Sequence, residues 1–88
     1  MGKNINKLDG ILETDRISDT RIEIFGQKRI VIEGCFGIRE YSEDIVQVNL
    51  PKGTIIIMGS RLEIIILSGR SITLDGNIVS VQFEGNTI

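Results

Sequence analysis

Apolar and polar residues alternate along most of this chain, and glycines cut the alternation at short intervals. A six-residue pattern, x-Ile-x-Ile/Leu-x-Gly, recurs as RIEIFG (21–26), RIVIEG (29–34), TIIIMG (54–59) and SITLDG (71–76). Alternation with a period of two marks a half-buried strand, and the closing glycine marks a turn. A second pattern reads Val46-x-Val48-x-Leu50, Leu62-x-Ile64-x-Ile66 and Val79-x-Val81-x-Phe83. Its copies are offset by 16 and then 17 residues, so the body is a weak internal repeat of two-strand units. Units this short cannot each bury an apolar face and must pack on one another.

The turn residues support the same division. Leu50-Pro51-Lys52-Gly53 has Pro at the second and Gly at the fourth position of a type I turn, and Asp75-Gly76 is a strong hairpin dipeptide. Ser42-Glu43-Asp44 and Ser68-Gly69-Arg70 are further breaks. Together these predict strands near 21–25, 28–33, 37–41, 45–50, 54–58, 61–67, 71–74 and 78–84. The fold class is all-β: about eight short strands in an antiparallel roll or small sandwich. The alternative is a short β-solenoid with coils of 16 to 17 residues. Residues 1–20 form a polar lead-in, either a flexible tail or a short docking helix, and residues 21–88 form the single β domain.

The stretch GTIIIMGSRLEIIILSG (53–69) is the centre of the pattern. Ile55 through Met58 and Ile64 through Leu67 place apolar side chains on both faces of their strands. One face suffices for a core. The second must meet another layer or a partner, which makes Ile55, Ile57 and Ile64 candidates for either role.

Composition narrows the picture. Ten Lys and Arg against twelve Asp and Glu give a formal charge of −2, without the basic balance of a nucleic-acid protein. A lone cysteine, Cys35, forms no internal disulfide and points to a reducing, cytoplasmic setting. No apolar run approaches about 20 residues, so no direct membrane span is expected.

Candidate chemistry is sparse. There is no histidine, hence no imidazole base, and no His-ligated metal is expected. Cys35, in Gly34-Cys35-Phe36-Gly37, reads as a small buried hydrophobe. The glycines do not follow the phosphate-loop spacing. Glu40, Glu43 and Asp44 cluster around Tyr41 and could in principle hold a cation, but without the calcium-loop series; a solvated turn is the favoured reading. No catalytic residue, metal site or cofactor is assigned, and the chain reads as a non-enzyme. A ligand- or metal-binding β module is the alternative.

The strand edges point to a protein partner. The first strand alternates Arg21 and Glu23 with Ile22 and Ile24, a charged and guarded edge. The last strand alternates Val79, Val81 and Phe83 with Ser80, Gln82 and Glu84, an edge with little charge. Strand addition by another chain is expected there, with Val79, Val81, Gln82 and Phe83 as contacts and Phe83 as the apolar anchor.

In order and spacing, several of these residues resemble the YabP/YqfC family of sporulation proteins, and its YqfC-like branch in particular. They are Gly34, Gly37-Ile38 followed by Glu40-Tyr41-Ser42, the run Gly53-x-Ile55-x-Ile57-x-Gly59, Leu62-x-Ile64, and the closing Ile72-x-Leu74-x-Gly76 with Ile78, Val79, Ser80 and Phe83. The resemblance covers about residues 21–85. It implies a small protein of a spore-forming bacterium, made in the mother cell and associated with cortex and coat formation. It also implies a partner, a membrane protein encoded nearby, with homo-oligomerisation as a second mode and recruitment to a membrane surface. No catalytic residues are implied. The lead-in departs from the branch pattern, which is longer, basic and enters the first strand through a proline.

Overall fold

The computed structural model describes residues 20–85. It contains six strands: β1 (Arg21–Phe25), β2 (Arg29–Glu33), β3 (Gly37–Tyr41), β4 (Ile45–Leu50), β5 (Gly53–Ser68) and β6 (Ser71–Gly85). They form one sheet in the order β1-β2-β6-β5-β4-β3, and every neighbouring pair is antiparallel. No helix occurs among the described residues.

Two expectations change. The count of about eight strands falls to six, because 54–58 joins 61–67 in β5 and 71–74 joins 78–84 in β6. The solenoid is excluded, since its coils would stack in parallel and all the ladders here are antiparallel. The expected lead-in falls almost wholly outside the described residues.

The short turns behave as their residues dictate. Pro51-Lys52 joins the paired residues Leu50 and Gly53. Gly69-Arg70 joins Ser68 and Ser71, with Gly69 at φ 58°. The glycines inside β5 and β6 do something else. Gly59 and Gly76 mark bends at which the two long strands continue. A side chain at Gly59 would collide with the Asn77 carbonyl oxygen, and one at Gly76 would lie 2.7 Å from the Arg61 carbonyl oxygen. The backbones of β5 and β6 approach each other at both points, so each glycine is needed for close approach. Irregular pairing between Ser60 and Glu63 adds a bulge there, with Arg61 at φ 55°. Bulges bend strands and increase their twist.

The bend explains the core. Ile30, Ile32, Val46, Val48, Ile55, Ile57, Ile72 and Leu74 are fully buried in one cluster. A flat single sheet leaves both faces wet, so full burial requires the sheet to curl back on itself. β2 and the first half of β6 then face β4 and the first half of β5. Each such side chain stabilises the fold by roughly 1.5–3 kcal/mol. The crossover from β2 to β3 closes the curl. Gly34 N–H and Cys35 N–H donate to the Arg70 carbonyl at 2.8 and 3.1 Å, and Phe36 N–H donates to the Asn49 carbonyl at 2.8 Å.

Candidate interaction surface

The second half of β6 has a neighbour on one margin only. It pairs with β5 from Ser80 opposite Met58 to Gly85 opposite Gly53. On the other margin the ladder with β2 ends at Asp75 opposite Arg29. Two more bonds extend it around the β1–β2 turn: Gly76 N–H to the Lys28 carbonyl at 3.0 Å, and Ile78 N–H to the Gln27 carbonyl at 2.8 Å. Past Ile78, no strand among the described residues lies on that margin. β6 is thus central in strand order, yet its distal half has an open edge.

The expected contact residues separate into two groups. Val79 and Phe83 are 72% and 66% exposed, Gln82 is exposed, and Val81 is half-buried. Val81 lies opposite Ile57 and Phe83 opposite Ile55, so both point to the core side of the sheet. Val79 is the extra residue where the register shifts between Met58 and Gly59. Ile55 and Ile57 are fully buried and belong to the core rather than to any surface, and Ile64 is half-buried beside them. Phe83 also walls an apolar groove of about 330 Å³ with Ile22, Leu50 and Pro51.

A second apolar area lies in the run Ile64 to Leu67, where the sequence has apolar side chains on both faces of the strand. Ile65, Ile66 and Leu67 are 40%, 53% and 61% exposed at the far end of β5. Ile66 opposes Thr73, which opposes Val31, giving a row across the outer face in which two aliphatic side chains flank a buried threonine. Arg29 closes it by donating from Nε and Nη2 to the two Asp75 oxygens at 2.6 and 2.9 Å. This pair holds the Asp75 carboxyl below its ordinary range and the Arg29 guanidinium above its own. The signal for this area was the run of four apolar residues at 64–67.

Glu43 and Asp44 lie in the β3–β4 turn, whereas Glu40 and Tyr41 belong to β3. Ser42 Oγ accepts from Asp44 N–H and Ile45 N–H, and the Glu43 and Asp44 carbonyls accept from Leu62 and Gly59 N–H. Among the described residues, no three Asp, Glu, Cys or His side chains gather as metal ligands. Cys35 is buried; its thiol donates to the Arg70 carbonyl at 3.4 Å, and burial pushes its pKa up. Both effects suit a packing residue.

No curated protein and no solved structure matches the chain. The YabP family model matches residues 17–88, a span that takes in all six strands and the open edge of β6. The chain is therefore a member of the YabP family.

Proposed function

We propose that this protein is a non-enzymatic assembly module of spore development, similar to the YqfC-like branch, which works by binding another protein chain through the open half of β6. Family membership fits a sporulation-associated role. The observation that carries the binding reading is the pairing of an open strand margin with the exposed apolar side chains of Val79 and Phe83. Such a margin adds a strand readily, because no strand among the described residues pairs with its backbone groups and its side chains carry little charge. The protein acts in the mother cell, and a membrane-anchored partner brings it to a membrane surface.

The test is rescue of sporulation. In a spore-forming host that lacks the chain, the wild-type protein restores heat-resistant spores. The double variant Val79→Ser, Phe83→Ser keeps its melting temperature, because both side chains are exposed, and fails to restore them. Full rescue by that folded variant removes the β6 edge from the function.

A further inference from the structure

We infer that the chain added at β6 is a second copy of this protein, paired antiparallel in a register centred on Gln82. The inference rests on the assembly reading above and names the partner of that same edge.

A strand that pairs with its own copy about a two-fold axis normal to the sheet keeps each face on its own side. The axis must then pass beside one residue, which faces itself. Centred on Gln82, the pairing opposes Val81 to Phe83 of the second copy, Ser80 to Glu84, and Val79 to Gly85. Apolar side chains meet apolar ones on the core side. Hydroxyl meets carboxylate on the outer side, and the central carboxamides pair as donor and acceptor. No two like charges oppose each other, since Glu84 is the single charged residue between Asn77 and Gly85.

The two outer strands of the sheet suit self-pairing less well. About its midpoint, β1 sets Glu23 against Glu23, and this carboxylate already accepts from Arg21 at 2.8 Å. About its midpoint, β3 sets Arg39 against Arg39, and the register shift between Ile38 and Glu40 interrupts that strand. Like charges directly opposite are destabilising. The β6 edge also carries the two most exposed large hydrophobic side chains among the described residues, Val79 at 72% and Phe83 at 66%.

The experiment uses the full chain and two single variants, Gln82→Lys and Gln82→Glu, in sedimentation equilibrium. The wild-type protein is expected to dimerise. Each variant alone sets like charges opposite one another and should dimerise about fivefold more weakly. An equimolar mixture of the two should recover the loss, because only then does the introduced ammonium of one variant face the introduced carboxylate of the other. That rescue is specific to a residue that faces its own copy. Circular dichroism melts confirm folding, which an exposed Gln82 leaves intact. In parallel, Gln82→Cys under mild oxidation should give a cross-linked dimer, since opposed Cα atoms in an antiparallel pair lie roughly 4.5–5.5 Å apart, within disulfide reach. A monomeric wild type, or a dimer indifferent to both charge variants, overturns the inference. A monomer that still restores spores does so without touching the assembly reading, whose partner is then a different chain.

Discussion

The backbone N–H of Ile64 donates to the hydroxyl of Tyr41 across 3.1 Å, although 23 residues separate them. Tyr41 ends β3 and Ile64 lies past the bend of β5, so the bond ties the outermost strand to the far half of the central one. Tyr41→Phe removes the acceptor and leaves the ring. The bond is exposed, so water replaces part of it, and the expected cost is about 0.5–1.5 kcal/mol. A chemical-denaturation midpoint unchanged from wild type shows that the tie contributes nothing.

Ile57 has no exposed surface and faces the centre of the cluster. Ile57→Asp places an unpaired carboxylate there, at a cost comparable with the whole stability of a domain this small. The variant should show no cooperative thermal transition by circular dichroism. A sharp transition near the wild-type temperature contradicts the placement of the core.

Gly59 is a bend residue whose φ is not positive; the obstacle to a side chain is the Asn77 carbonyl oxygen. Gly59→Ala and Gly76→Ala should each lose more than about 1 kcal/mol, since a backbone neighbour moves only by distorting the ladder. By contrast, Arg61 already has φ 55°. Arg61→Gly relieves about 1 kcal/mol of strain, offset in part by the entropy of the unfolded chain, and should be neutral or stabilising. A destabilised Arg61→Gly together with a silent Gly59→Ala reverses this assignment of strain.

Asp75 has its carboxyl pKa held low, chiefly by the hydrogen bonds from Arg29. A depressed folded value means that folding favours the ionised form. The contribution is complete above the unfolded value of about 4 and disappears as pH falls through the lower folded value. Asp75→Asn should therefore lower the melting temperature slightly near neutral pH, and the gap to wild type should close in acid. High salt should narrow it as well, because both groups are exposed. A gap that widens in acid gives the opposite sign and excludes the pair as its source.

Much of this arrangement was legible in single residues. β1, β3 and β4 begin and end where the alternation and the turns at Gly26, Ser42 and Pro51 placed them. The long strands were not, because a glycine that ends a strand and one that lets two backbones touch look alike in sequence. Asp75-Gly76 has the chemistry of a hairpin turn. Here Asp75 is taken by Arg29, and Gly76 backs onto Arg61 and Leu62. The apolar run at 64–67 announced surplus surface, but only the curl of the sheet decides which side chains it leaves outside. The same holds for Ile55 and Ile57: their period fits a core or a partner face, and the curl of the sheet buries both completely.

β2 lies between β1 and β6, and Arg29 is 46 residues from its partner Asp75. The β1–β2 hairpin must therefore wait for β6, which is made later. Contacts of such long sequence separation slow folding, and an antiparallel sheet closed this way should fold in roughly milliseconds to seconds. During that interval Ile30 and Ile32 have no cover and the β2 edge is bare, which is when off-pathway strand pairing competes. Stopped-flow refolding should show this slow closure, and substitutions at the β2–β6 seam should change the refolding rate more than those at the β1–β2 turn. The order of synthesis thus leaves β2 dependent on β6, and the buried face of β2 is most vulnerable in the interval before β6 has been made.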